Sequence, residues 1–203
     1  MNIVQDEFDK ILSVYTSDQY YDELKAAKDS FITRTGKIDE ESEEYESRMN
    51  SFNHWYIFDY EREDGSHFID KYLENNSNDL ALSLKNINYS LFLFKKINFR
   101  KQIIINDILH SDKFVLSKEN GTLPLVEDDL FLGRAVNYND QWFLLNGIVT
   151  LPREVFSVLK KESKKVRKLN NSVEELGFLL NLERLKNRSI QYGHVDSSKI
   201  FNF

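Results

Sequence analysis

The hydrophobic period of this chain changes twice along its length, and that constrains the fold more than any other feature. Up to about residue 88, apolar side chains recur every three or four positions, as they do on one face of a helix. Val4, Phe8, Ile11, Leu12 and Tyr15 make the first such stripe, and Tyr21, Leu24, Ala27 and Phe31 make the second, which breaks at Thr35-Gly36. A third stripe runs through Tyr45, Met49, Phe52, Trp55 and Tyr56. Its helix is predicted to begin near Asp39, because Glu40, Glu41 and Glu43 would then face the positive end of the helix dipole. Residues 61–66 (EREDGS) read as a polar turn. Two short amphipathic helices follow, one through Phe68, Ile69, Tyr72 and Leu73, the other through Leu80, Leu84 and Ile87.

Beyond residue 88 the runs become short and rich in aromatic and β-branched residues, which is strand chemistry. Strands are predicted over 89–97, 102–109, 113–117, 130–138, 141–145 and 148–151. With only seven Gly and two Pro in 203 residues, each turn signal is informative. Asn120-Gly121, Asn139-Asp140 and Asn146-Gly147 punctuate the strands. Pro152 then sits where a first helical turn would begin, and Val155, Phe156, Leu159 and Val166 give that helix its face. Ser172, Val173, Glu174 and Glu175 read as a capping box for a last helix through Leu176, Leu179, Leu180 and Leu185. The stretch from 189 reads as irregular, with Ile200, Phe201 and Phe203 as a docked apolar tail. The fold class is therefore α+β. A helical N-terminal half (1–88) precedes a small antiparallel SH3-like or OB-like β-barrel or curled sheet (89–151). Two C-terminal helices (152–203) pack back, and the three regions are expected to form one compact unit.

Composition narrows the function classes. The chain has no cysteine, which removes disulfides, thiolate zinc sites and a cysteine nucleophile together. Hydrophobic residues make up 41% and aromatics 13%, enough apolar surface to offset the entropy of ordering the chain. No apolar run is long enough for a membrane span, and the acidic start MNIVQDEFDK does not read as a secretory signal. A soluble cytoplasmic protein without membrane attachment is expected. No phosphate-binding loop, dinucleotide fingerprint or nucleophile elbow is written here. Together with few histidines and glycines, this weighs against an enzyme, and no catalytic residue or cofactor is assigned.

The formal net charge of -6 hides a gradient. Residues 1–50 hold six basic and thirteen acidic side chains, whereas residues 153–203 hold eleven basic and six acidic. The basic excess gathers at Lys160, Lys161, Lys164, Lys165, Arg167 and Lys168, which recur at helical steps and form a candidate partner-binding face. An acidic front and a basic rear can attract one another or address different partners. Two acidic groups could do chemistry. Glu127, Asp128 and Asp129, with Arg134 five residues on, make a candidate acidic site if Arg134 turns toward them; the same acids also suit a tight turn. Asp59, Glu61, Glu63, Asp64 and His67 could hold a divalent cation or simply form a hydrated loop. His54, His67, His110 and His194 show no zinc-ligand spacing.

Phe52, Trp55, Tyr56 and Phe58 fall within seven residues and would cover most of a helix's circumference, so that helix is expected to be buried between layers. The segment 52–60 (FNHWYIFDY) carries the pattern F-x-x-W-[FY]-x-F-D. A short helix follows, then a compact β region ending in Leu151-Pro152. In this the chain resembles a group of uncharacterised bacterial proteins. That group has a strand like residues 101–109 (KQIIINDIL), then an acidic turn and a Gly-Arg strand such as residues 128–136 here. The shared elements run from about residue 45 to 160. Some members carry a cysteine-rich SEC-C metal motif nearby; this chain has no cysteine, so no metal function carries over. The resemblance implies a bacterial or phage-like intracellular origin and the helix–barrel–helix order, and implies no activity.

The sequence thus points to a non-catalytic binding or adaptor protein that works by protein–protein recognition. The first alternative is an RNA or DNA binder using the basic helix and the barrel face. The second is a metal-dependent enzyme using the acidic turn 127–129. A homo-oligomer is compatible with the tyrosine-rich helical front.

Overall fold

The structure is a computed structural model and describes residues 2–203. Five helices open the chain: α1 (Ile3–Tyr15), α2 (Tyr21–Thr35), α3 (Tyr45–Phe58), α4 (Phe68–Asn75) and α5 (Asp79–Lys85). Each turns most of its apolar stripe inward, α1 burying Val4, Phe8, Ile11 and Tyr15, but Tyr21 at the start of the α2 stripe is 64% exposed. The Asn2 side chain caps α1 by accepting the Gln5 amide at 3.2 Å, and Gly36, at φ +90°, ends α2. Helix α3 begins at Tyr45 and not near Asp39. The Asp39 and Ser42 side chains accept the backbone N–H groups of Glu41 and Glu44, and such local bonds offer the backbone turns in place of a helix.

Six strands follow: β1 (Asn88–Ile97), β2 (Ile103–Asp107), β3 (Lys113–Val115), β4 (Leu130–Tyr138), β5 (Gln141–Leu144) and β6 (Val149–Leu151). They pair antiparallel in the order β3-β2-β1-β4-β5, with β6 added to β4. Asn139 and Asp140 both take positive φ, +50° and +59°, as a two-residue hairpin turn requires. The sheet curls until its outer strands meet. Leu116 and Trp142 form a parallel bridge, and the Ser117 amide donates to the Trp142 carbonyl at 2.7 Å. This is a partly open, OB-like order. Phe92, Phe94, Ile105, Phe114, Phe131 and Leu144 fill the inside of the curl.

Helices α6 (Phe156–Leu169), α7 (Ser172–Gln191) and α8 (Ser197–Ile200) close the chain. Asn170 turns left-handed at φ +48° to end α6. The cap of α7 is Asn171, whose side chain accepts the amides of Val173 and Glu174; the box expected at Ser172 sits one residue too late. Helix α7 also runs on to Gln191, into the stretch read as irregular, and Phe201 of the tail is buried beside it.

Strand parity decides where Arg134 lies. Along β4, Leu130, Leu132, Arg134 and Val136 share the outer face, because alternate residues point the same way. Leu130 and Leu132 pack in the cluster with α6 and α7, while Val136 packs with the N-terminal helices. Arg134 therefore falls on the seam where the two helical layers meet over the sheet.

Candidate functional site

The basic helix lies along the outer face of the sheet and forms a groove with it. Lys160, Lys164 and Arg167, at i, i+4 and i+7, line one wall. Asn106, Ile108, Asp112 and Lys113 line the other, around a hollow of about 430 Å³. A second hollow, also of about 430 Å³, continues it past Lys160, Phe156 and Arg153 to Leu93 and Lys95. Arg167 is part of the scaffold, since its guanidinium donates to Ser111 Oγ and to the Leu109 carbonyl. Lys161, Lys165 and Lys168 lie outside the lining and are exposed, with Lys165 paired to Glu162 at 2.7 Å. So three of the six sequence-assigned cations form the groove, and three face solvent beside it. Among the described residues, Lys113, Lys160 and Lys164 take part in no salt bridge.

The β1–β2 loop carries a further exposed group. Phe99 at its tip is 93% exposed. A single exposed apolar residue is unremarkable by itself, but Phe99 stands between Lys95-Lys96 and Arg100-Lys101. The Arg100 guanidinium lies 5.6 Å from its ring.

The acidic turn is taken apart. Asp128, at φ +68°, pairs with Lys95 at 3.2 Å, Asp129 pairs with Arg153, and Glu127 is exposed. Arg134 does not join them; it turns to the seam and pairs with Asp59. The other acidic group disperses as well. Asp59 is held by Arg134, Asp64 by Ser66 and Arg62, and the His67 ring bonds the Tyr60 carbonyl at 3.0 Å. Among the described residues, no group of three or more His, Asp or Glu side chains is placed to hold a metal ion.

At the seam the structure assembles a polar cleft that the sequence reading did not find. One chamber of it, about 250 Å³, is lined by Asp59, Lys85, Asn88, Tyr89, His110, Arg134 and Glu175, with Phe58, Ile69, Leu176 and Leu179 among its apolar walls. It adjoins a second hollow of about 650 Å³ through Phe58, Asp59, Ser172 and Leu176. Tyr89 and Arg134 are direct cross-strand neighbours on β1 and β4, so the guanidinium lies over the phenol ring at 4.0 Å. The Tyr89 hydroxyl donates to Glu183 at 2.7 Å. Burial first, and then the Glu183 charge, push this phenol well above its ordinary range, so it stays a neutral donor. Glu183 also binds Arg48 at 3.0 Å, and Arg48 reaches Thr35 and Gly36. A chain of buried polar contacts thus joins α2, α3, α7 and the sheet.

His110 stands at the other wall. Its Nδ1 bonds Asp107 at 2.9 Å, and its Nε2 faces Glu175 at 3.4 Å. Asp107 also accepts from Ser90, Asn88 and the His110 amide. Two sequence signals could have drawn attention to this cleft. One is the spacing Asp107-x-x-His110 at the end of a strand. The other is the pair of signatures around Asp59 and Arg134, which the fold brings into contact.

A family model described as a family of unknown function (DUF7986) matches residues 8–191. The chain belongs to this family. The match spans both helical layers and the sheet, and every residue of the groove and the cleft lies within it. Comparison with curated proteins and with solved structures gave no match. Within the family's span, no helix of the described residues is long and apolar enough to cross a membrane.

Proposed function

We propose that this protein is a non-catalytic binding protein of the bacterial cytoplasm and that its recognition surface is the basic groove between α6 and the outer face of β1–β3. The occupant that suits this surface best is a single-stranded nucleic acid. The carrying observation is the run of cations free of salt bridges, Lys113, Lys160 and Lys164, together with an exposed Phe99 flanked in sequence by Lys95-Lys96 and Arg100-Lys101. Phosphates would lie along the lysines, and a base would stack on the ring; each such stack is worth about 1–3 kcal/mol. The OB-like order adds support by analogy of fold, since such barrels use the β2–β3 face and the β1–β2 loop for oligonucleotides. The protein's overall acidity confines phosphate attraction to this face.

The test is fluorescence anisotropy with a labelled oligothymidylate of about 15 nucleotides, a length matching the site sizes of such barrels. With about three phosphates neutralised, affinity should fall roughly 20-fold between about 50 and 200 mM salt. The double variant Lys160→Glu/Lys164→Glu should abolish binding without unfolding the protein, because both side chains are exposed. Salt-insensitive binding, or binding that survives the double variant, removes the groove from consideration. A second reading is a protein partner presenting an acidic segment, favoured by the apolar floor of Leu93, Ile108 and Phe156 beneath the cations. It is distinguished by a stoichiometric partner that survives nuclease treatment and is lost in the same double variant.

A further inference from the structure

We propose that the seam cleft is a second, independent binding site, and that it takes a small organic monocarboxylate with an apolar body. The argument starts from Arg134. Its side chain is only 3% exposed, and a guanidinium carries five N–H donors in a fixed fork. Among the described residues the one acceptor it meets is Asp59, through Nη2. Its remaining donors are not sealed in protein; they open on the chamber that Arg134 lines. Donors that open on the chamber are free to bond whatever acceptor enters it. The group that matches a planar fork is a planar oxyanion, bound by two parallel N–H bonds.

The walls choose among oxyanions. Lys85 at the rim adds a second cation, and it is already tied to Asp70 at 2.8 Å. Asp59 and Glu175 line the same chamber. Against that charge balance a dianion such as phosphate would face two carboxylates, whereas a monoanion meets a surplus of donors. His110 in its protonated form supplies one of these. Its Nδ1 is committed to Asp107, and its Nε2 reaches Glu175 only at 3.4 Å. A ligand carboxylate closer than that would take the Nε2 proton's hydrogen bond from Glu175. The remaining lining, Phe58, Ile69, Leu176 and Leu179, is apolar and suits a hydrocarbon body. The hollow of about 250 Å³ lies below the volumes that hold drug-sized ligands, so the part of the body seated in it is a few carbons or one ring.

The experiment uses the full chain and four probes, acetate, isovalerate, benzoate and phenylacetate, each followed by saturation-transfer NMR and calorimetry up to about 10 mM, the range in which so few atoms can bind. At least one acid with an apolar body should bind, its neutral amide should bind at least tenfold more weakly, and inorganic phosphate should not compete. Arg134→Gln should lose the binding, with circular dichroism showing whether the variant has kept its fold. Should it unfold, Glu175→Gln decides. That change leaves the sheet and Arg134 intact and removes the carboxylate that competes for His110, so affinity should rise about threefold or more. The proposal is overturned if no acid binds, if the amide binds as well as its acid, if phosphate displaces the acid, or if Glu175→Gln leaves affinity unchanged. None of these outcomes depends on the basic groove, so the two sites stand or fall separately.

Discussion

Asp107 and His110 hold each other's charge at the end of the barrel. Burial alone would raise the Asp107 carboxyl, but its bonds from His110, Ser90 and Asn88 outweigh that and hold it below its ordinary value. The hydrogen bond to Asp107 raises His110 above the usual 6.5, against the pull of burial. Folding therefore favours the imidazolium. The stability this contributes is present in full below pH 6.5 and is lost as pH rises through the higher folded value. His54 works in the opposite sense. Burial first, then the nearby Arg134, hold it well below 6.5, so the unfolded chain takes up that proton more readily and stability falls as the solution becomes more acidic. Urea denaturation of the wild type and of His110→Gln between pH 6 and 8.5 separates the two, since the His54 contribution is common to both proteins. The stability difference between them should shrink as pH rises. A difference that stays flat over this window would mean that His110 is not tied to Asp107 in solution.

At the scale of elements, a turn decides how the sheet meets the helices. Gly147, at φ +80°, joins β5 to β6, and a Cβ there would lie 2.2 Å from Asn50 Cβ on α3. Both the left-handed backbone and the close approach demand glycine. Gly147→Ala should destabilise the protein by about 2 kcal/mol or more, well above the usual cost of a surface change. Thermal melting checks this, with Gly121→Ala as the control: its φ is also positive, at +67°, but nothing lies within 4 Å of its Cβ position, so it should cost less. Turns of this kind were legible in the sequence because Asn-Gly and Asn-Asp pairs report a backbone sign directly. The strands were legible because short runs rich in aromatic and β-branched residues, bounded by those turns, replace the helical period there. The start of α3 was not, since Asp39 and Ser42 bond their own backbone and the acidic run Glu40–Glu44 satisfies a helix and a turn equally well. Nor was the split of the basic helix into groove-lining and solvent-facing lysines, which depends on which face of α6 meets β2. The ion pair between Asp59 and Arg134 links positions 75 residues apart, and only the register of β4 shows that Arg134 turns away from its acidic neighbours in sequence.

At the scale of the whole molecule, the regions distinguished by hydrophobic period do not keep separate cores. The N-terminal cluster takes in Val136, Phe143 and Leu145 from the sheet and Leu180 from α7. The cluster beneath α6 and α7 is floored by Leu91, Leu93, Leu130 and Leu132 of the same sheet. Charge joins the ends as well. Glu44 of the acidic front meets Lys186 of the basic rear at 3.3 Å, and Arg48 is buried against Glu183. Losing any one layer would expose the apolar face of the next, so the chain should unfold in one step. The two tryptophans make this measurable, because Trp55 lies among the helices and Trp142 stacks on Phe114 in the sheet at 4.0 Å. In Trp142→Phe only the helical layer fluoresces, and in Trp55→Phe only the sheet does. Within each variant, the urea midpoint by fluorescence should coincide with that by circular dichroism, even where the substitution lowers both. A sheet signal that outlasts the loss of helix would instead divide the molecule at residue 88. The seam cleft would then be an interface between two folding units, and the buried chain from Thr35 through Arg48 and Glu183 to Tyr89 would be too weak to couple them.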